Sequence, residues 1–300
     1  MALQLKLIGK QIVSFITHLR WHYQLGVLSG GYLLAGLYVD NLELGAYLLQ
    51  FLNVHLLLFG GATAFNSYWD KDEGPVGGLK NPPPMAEWML PASMGLQFLG
   101  LALASNQGDL FFGFYLLSMV LFWLYSYPGV RWKGRPFLSV LAIAVSTGTN
   151  SFFMGYMAGS QIALPSLPII VVALGCALIL VSLYPVSQWF QTEADSERGD
   201  ATFAREYGKK GIIRFFSVCF FTGTVITGVT LFQMVSGILG GLFLLIGLAI
   251  GLNITNVIKS LEGRSEEYDK VMNIKYFTSF SFVAFILIAI VIKHFVAWPI

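Results

Sequence analysis

Nine apolar stretches of about twenty residues, separated by short charged loops, constrain this chain more than any other feature of its sequence. About twenty helical residues cross the ~30 Å of hydrocarbon in a bilayer. An open chain can pair all its backbone N–H and C=O groups inside hydrocarbon only as helices. The sequence therefore predicts an all-α membrane protein. We place its nine transmembrane helices at residues 22–39, 44–67, 88–105, 109–127, 136–159, 165–190, 211–231, 234–258 and 274–296.

The composition agrees with a membrane protein and excludes several other classes. Only 11% of the 300 residues are charged and 56% are hydrophobic, whereas soluble domains carry about 25% charged residues. Cys176 and Cys219 both lie in apolar stretches, which excludes a disulfide framework and a cysteine metal site. The net charge of +2 is too small to indicate nucleic-acid binding.

The N-terminal segment, residues 1–21, has a different pattern. Its apolar residues, among them Leu5, Ile8 and Ile12, recur at helical spacing between polar residues. This pattern predicts an amphipathic helix that lies on the membrane surface. We therefore divide the chain into this surface helix and a single nine-helix domain over residues 22–300, embedded among membrane lipids.

The basic residues predict the orientation of the chain. With the N-terminus in the cytoplasm, 17 of the 18 Lys and Arg residues fall on the cytoplasmic side, and only Lys293 falls on the other. Short loops rich in Lys and Arg stay in the cytoplasm. We therefore expect an integral, multi-pass protein of a bacterial cytoplasmic membrane, with a cytoplasmic N-terminus.

The acidic residues concentrate in two cytoplasmic loops that share one pattern. The loop after the second crossing contains Asn66 and Asp70, and the loop after the sixth contains Gln191 and Asp195. Residues four apart share one face of a helix, so each amide lies beside its carboxylate. The two loops are four helices apart, which suggests a duplicated unit with a ligand site between its halves.

The residue types in these loops suit a divalent metal and a diphosphate. Carboxylate and amide oxygens suit Mg²⁺, which substrate phosphates commonly complete. Arg131, Lys133 and Arg198 are close to the loops in the predicted layout, and arginine binds phosphate oxygens in a bidentate manner. Charged groups at the mouth of an apolar bundle fit a substrate with a diphosphate head and a hydrocarbon tail.

These residues resemble the UbiA superfamily of intramembrane prenyltransferases. That family has nine helices, an Asn/Asp motif after helix 2 and a second Asp motif after helix 6, and the resemblance covers nearly the whole chain. The matching positions are Asn66 and Asp70 in the first motif, Asp195, Gly199, Thr202, Phe203, Ala204 and Gly208 in the second, and Tyr127, Arg131 and Lys133 in the loop after helix 4.

The sequence also departs from the family pattern. Ser67, Gly74 and Gln191 stand where the family has aspartates. Nearby carboxylates could substitute for them as metal ligands. The resemblance thus implies Asp70, Asp195 and Tyr127 as catalytic residues and Mg²⁺ as cofactor. It implies Asn66, Gln191, Arg131, Lys133, Arg198 and Arg20 as substrate-binding residues, and Asn66, Asp70, Asp72, Glu73, Glu193 and Asp195 as metal ligands.

The function implied is transfer of a prenyl group from an allylic isoprenoid diphosphate to a lipophilic acceptor, at an active site facing the cytoplasm. The acceptor could be a quinone precursor, a pigment, a carotenoid or a glycerol phosphate. An alternative is a catalytically weakened subunit that binds a pigment or quinone with partner subunits in a membrane complex, which the missing carboxylates favour. A transporter is less favoured, because only His55 is ionisable near the middle of a crossing.

Overall fold

The computed structural model describes residues 2–71, 74–161 and 164–296, and these residues form helices joined by loops. The only β-type pairing in these ranges is one bridge between Val76 and Leu79. We number the helices in chain order. They are α1 (Ala2–Leu19), α2 (Trp21–Gly26), α3 (Gly30–Ala35), α4 (Leu44–Asp70), α5 (Met89–Ala104), α6 (Asp109–Ser126), α7 (Pro136–Ser160), α8 (Leu167–Glu197), α9 (Phe203–Met234), α10 (Gly237–Ser260) and α11 (Ser265–Phe295).

All nine predicted crossings coincide with helix. Among the described residues, seven helices are long and apolar enough to cross a membrane, namely α4 and α6 to α11. The first predicted crossing is broken between α2 and α3, at residues 27–29, and ends in a 3-10 turn at Gly36–Tyr38. The third predicted crossing corresponds to α5, which has 16 residues and is therefore not among the seven long helices. The prediction of helix is therefore confirmed for all nine apolar stretches, whereas the break in the first was not foreseen.

The predicted surface helix is present as α1, and it packs beside the loop before α5. Ser14 donates a hydrogen bond to the Pro84 carbonyl (2.8 Å), and a ring nitrogen of His18 contacts the Pro83 carbonyl oxygen (2.7 Å). The opposite face leaves Leu5 and Val13 more than half exposed. Such an apolar face is typical of a helix at a membrane surface.

Close backbone contacts hold the helices together. At Gly155 of α7, an added Cβ would lie 2.4 Å from the Tyr32 carbonyl oxygen of α3, so only glycine permits this approach. Gly223 of α9 meets the Gly175 carbonyl of α8 in the same way. Small residues drive helix association in lipid because they allow backbones to approach.

Two of the long helices contain a π-helical turn. These turns are Asn53–Phe59 in α4 and Ala144–Thr149 in α7. Phe59 and Thr147, one from each turn, line the same internal cavity. π-turns occur frequently at functional sites.

Candidate active site

The bundle encloses a cavity of about 280 Å³ with a charged mouth and an apolar interior. The mouth contains the carboxylates of both predicted motifs together with several cations. The interior is lined by aliphatic and aromatic side chains such as Val27, Ile179 and Leu180. Its charged lining residues are Arg20, Asp70, Lys133, Asp195, Arg198, Asp200 and Lys275.

The two motifs meet at this mouth, as their position after the second and sixth crossings predicted. Asn66, Asp70, Gln191 and Asp195 all line the cavity. The Gln191 side chain donates a hydrogen bond from Nε2 to the Pro75 carbonyl (3.0 Å), which joins the second motif to the loop of the first. The i, i+4 spacing within each motif thus directs both side chains of a motif into the cavity.

The first-motif carboxylate is paired with cations from the loop after α6. Lys133 donates a hydrogen bond to Asp70 Oδ1, and Arg131 Nη1 lies 3.7 Å from the same oxygen. Lys133 is buried although it is charged, and a buried charge is costly unless it is paired. The ion pair therefore fixes this loop over the mouth.

Asp200 is a site residue that the sequence motifs did not identify. It is buried and accepts two hydrogen bonds from Arg131, from Nε and from Nη2, each at 2.7 Å. These bonds raise the pKa of the Arg131 guanidinium. Its backbone N–H donates to the Asp195 carbonyl (2.9 Å), so Asp200 joins the second motif to the loop after α6. The sequence feature that could have identified Asp200 is its position directly after Gly199, a residue of the second motif.

The second-motif carboxylate, Asp195, is buried and accepts a hydrogen bond from the Thr202 hydroxyl (3.1 Å). Thr202 and Asp200 lie in the short connection to α9. Arg198 also lines the mouth, with an exposed side chain. This connection therefore supplies the cavity with charge of both signs.

Three basic residues around the mouth have left-handed backbone conformations, which cost about 1–3 kcal/mol each in non-glycine residues. They are Arg20 (φ 48°), Lys71 (φ 48°) and Arg131 (φ 44°). Contacts hold Arg20 in this conformation, because its guanidinium donates to Ser67 Oγ (2.8 Å) and to the Gly77 carbonyl (2.7 Å). Residues of this kind often mark functional sites.

Tyr127, which we predicted to be catalytic, does not line the cavity. Its side chain is 48% exposed and packs edge-on against Trp69 in a separate apolar groove on the outside of the bundle. Helix α6 ends at Ser126, so the chain turns outward at this residue. Tyr125 lines the cavity instead, and its hydroxyl lies 3.0 Å from that of Tyr184.

Of the additional carboxylates predicted as metal ligands, Glu193 does not join the others. Glu193 is exposed and lines a smaller pocket on the outer side of the second motif. It precedes Asp195 by two residues, about 200° around a helix, and therefore points away from the cavity. Asp72 and Glu73 lie outside the described residues.

The remaining donors fit a divalent cation only if a ligand completes its coordination. In the described part of the chain, no group of three or more His, Cys, Asp and Glu side chains could hold a metal ion. Asn66 and Gln191, however, use their amide nitrogens to bond to Ser126 and Pro75. Their amide oxygens can therefore join the Asp70 and Asp195 carboxylates. Such a set suits Mg²⁺, which retains open positions for substrate phosphates.

Comparisons with known proteins agree with this geometry. The UbiA prenyltransferase family matches residues 25–279, and no curated protein matches the chain. A solved UbiA homolog from Archaeoglobus fulgidus bound to DMAPP and Mg²⁺ has 18% identity and a TM-score of 0.69, covering 92% of this chain and 99% of that one. The same homolog has been solved with GPP and Mg²⁺ (TM-score 0.68, 18% identity, 92% and 99% coverage).

A structure of digeranylgeranylglyceryl phosphate synthase is also similar, with 18% identity and a TM-score of 0.64, covering 94% of this chain and 99% of that one. At these identities the solved structures establish a shared fold. The family match extends over most of the chain and includes both motifs. The chain therefore belongs to the UbiA prenyltransferase family.

Proposed function

We propose that this integral multi-pass membrane protein transfers a prenyl group from an allylic isoprenoid diphosphate to a lipophilic acceptor. The observation that carries the proposal is the meeting of Asp70 and Asp195 at the charged mouth of one apolar cavity. Family membership and the DMAPP-bound and GPP-bound homologs support the same reaction class. The apolar interior suits a hydrocarbon tail, and the charged mouth suits a diphosphate.

In the proposed reaction, the allylic C–O bond breaks and its electron pair leaves with the diphosphate. Lys133, Arg198 and Arg20 line the cavity and stabilise the negative charge that develops on the leaving group. The nucleophilic atom of the acceptor then bonds to the allylic carbon, and the proton that it loses passes to the released diphosphate.

The aromatic rings of Phe59 and Phe122, which meet edge to face at 5.6 Å in the cavity wall, stabilise the allylic cation by cation–π attraction. Asn66, Asp70, Gln191 and Asp195 would hold Mg²⁺ together with the diphosphate. When bound, Mg²⁺ would neutralise part of the diphosphate charge.

The proposed orientation has nine crossings, a cytoplasmic N-terminus and a cytoplasmic active site. The seven long apolar helices, the broken first segment and α5 together support nine crossings. The position of 17 of 18 basic residues supports the orientation. Introducing single cysteines at Lys6 and Asp109 and labelling them from one side of sealed vesicles tests it, because the proposal requires opposite accessibility.

The enzyme proposal is tested with purified protein, labelled geranyl diphosphate and a membrane lipid extract as the source of acceptor, with and without Mg²⁺. We expect Mg²⁺-dependent diphosphate release that Asp70→Ala and Asp195→Ala each reduce by about 100-fold or more, the size of a removed electrostatic contact in an active site. Glu197→Ala is a matched control, because this exposed carboxylate lies near the second motif but outside the cavity lining. Undiminished Mg²⁺-dependent release by both aspartate variants would contradict the assignment.

One observation favours the second function, a subunit that binds a pigment or quinone in a membrane complex. Asp70 is paired with Lys133, and Asp200 is paired with Arg131, so both carboxylates are already neutralised. This function predicts a stoichiometric bound pigment or quinone and no diphosphate release. Extraction of lipids from the purified protein in the same experiment distinguishes the two functions.

A further inference from the structure

The wall formed by α2 and α11 carries a cation that the proposed reaction does not use. Lys275 lines the cavity, and its ammonium lies 5.3 Å from the centre of the Tyr23 ring. Within residues 2–71, 74–161 and 164–296, Lys275 makes no ion pair and no side-chain hydrogen bond. A cation over an aromatic ring is stabilised less than one paired with an anion, so this ammonium remains able to bind one.

A second polar group on the same wall lacks a hydrogen bond to the described residues. Ser279 is 7% exposed and lines the cavity. It follows Lys275 by four residues on α11, and residues four apart on a helix are neighbours on one face. The neighbouring Thr278 hydroxyl, in contrast, is bonded to the Ile274 carbonyl (2.8 Å). Lys275 and Ser279 thus present a cation and a free hydroxyl one turn apart.

The wall formed by α2 and α11 differs in charge from the side of the cavity that carries the two motifs. Arg20, Lys133, Arg198 and Lys275 face three carboxylates, Asp70, Asp195 and Asp200, among the described lining residues. Two of these carboxylates already bind Lys133 and Arg131. The α11 face, Lys275, Thr278, Ser279 and Phe282, contributes a positive charge and no acidic side chain. This wall therefore suits an anion.

We propose that Lys275 and Ser279 form a subsite for an anionic group of the acceptor, a carboxylate or a phosphate. That the anion belongs to the acceptor rests on the proposed transferase function. An oxyanion between the two side chains accepts hydrogen bonds from the Lys275 ammonium and the Ser279 hydroxyl. The Tyr23 ring, packed edge-on against Tyr276 at 6.3 Å, gives the adjoining part of the acceptor an aromatic surface.

The test compares three phenols that differ in one substituent: 4-hydroxybenzoate, 4-hydroxyphenyl phosphate and the neutral 4-hydroxybenzamide. Their equilibrium binding to the full-length protein is measured by calorimetry, with inorganic diphosphate as a fourth probe. We expect Lys275→Gln to weaken binding of at least one anionic phenol by about tenfold or more, the size of one hydrogen bond to a charged group. We expect Ser279→Ala to weaken binding of the same phenol by a smaller factor. Binding of the benzamide and of inorganic diphosphate stays within twofold.

Comparing 4-hydroxybenzoate with 4-hydroxyphenyl phosphate identifies whether the subsite binds a carboxylate or a phosphate. Lys259→Gln is the matched control, because it removes the same charge from an exposed position at the end of α10. Lys275→Arg, which keeps the charge, is expected to retain most of the binding. Unchanged binding of both anionic phenols in Lys275→Gln overturns the proposal. Equal weakening of inorganic diphosphate also overturns it, because Lys275 would then belong to the diphosphate site.

The same variants separate this proposal from the proposed function. Diphosphate release from labelled geranyl diphosphate reports on the transferase, whereas phenol binding reports on the subsite without turnover. Loss of phenol binding with no release by the wild-type protein would uphold the anion subsite and reject the transferase. Diphosphate release by the wild-type protein, with binding of both anionic phenols unchanged in Lys275→Gln, would uphold the transferase and reject the anion subsite.

Discussion

The Arg131–Asp200 pair offers the sharpest test of how the site is held together. Asp200 accepts two hydrogen bonds of 2.7 Å from one guanidinium, and hydrogen bonds to charged groups contribute about 1.5–3 kcal/mol each. The Arg131 side chain is 25% exposed and that of Asp200 only 6%, so solvent screens the pair only partly. An asparagine retains one of the two bonds. We therefore expect Asp200→Asn to lower the free energy of unfolding by about 2–3 kcal/mol.

A double-mutant cycle isolates this interaction. Asp200→Asn, Arg131→Gln and the double variant are unfolded in detergent, with tryptophan fluorescence as the readout. Residues in direct contact couple by about 0.5–3 kcal/mol, and this buried bidentate pair should lie near 2 kcal/mol. The Lys80–Asp269 pair is the control, since its side chains are 60% and 62% exposed and such pairs contribute at most about 1 kcal/mol. Single-variant effects that add to within about 0.5 kcal/mol would refute the reasoning.

Three further results are expected. Tyr125→Phe should lower turnover of geranyl diphosphate more than Tyr127→Phe does, because only the Tyr125 hydroxyl lies in the cavity wall; equal steady-state rates would contradict this. Gly155→Ala should lower the melting temperature in detergent, since its Cβ would overlap the Tyr32 carbonyl and overpacking costs about 1–3 kcal/mol; an unchanged melting temperature would argue against the α3–α7 contact. Excess EDTA should abolish diphosphate release, added Mg²⁺ should restore it, and release that persists in EDTA would exclude the proposed metal role.

Sequence patterns predicted the helices well because hydrocarbon length and backbone pairing leave few alternatives. They also predicted that Asn66 and Asp70, and Gln191 and Asp195, would share a cavity, because a four-residue spacing fixes their common face. The break before Gly30 was missed, since glycine is frequent throughout the apolar stretches and does not by itself mark a helix end in a membrane protein.

Two predicted site residues, Tyr127 and Glu193, lie outside the cavity lining for a common physical reason. Tyr127 was assigned by its match to the family's loop after helix 4, and Glu193 by its nearness in sequence to Asp195. The direction of a side chain, however, depends on helical angle and on where the helix ends. Tyr127 follows the last residue of α6, and Glu193 lies two residues from Asp195 on the outer face. Asp200 was missed for the opposite reason, because its role comes from a partner, Arg131, that is 69 residues away in the chain.

The π-turn in α4 fixes the rotation, about the helix axis, of the half that follows it relative to the half before it. Before and at the start of the turn, Gln50 and Asn53 bond to carbonyls of α5, and beyond it Asp70 reaches the cavity. A π-turn contains one residue more than an α-turn, which rotates all that follows by about 100°. If residues 53–59 became α-helical without loss of a residue, the anchor on α5 would remain and Asp70 would turn away from Lys133, whereas deleting one residue from the turn at the same time would restore the direction of Asp70. The π-turn between anchor and carboxylate is thus as much a part of the site as the carboxylate itself.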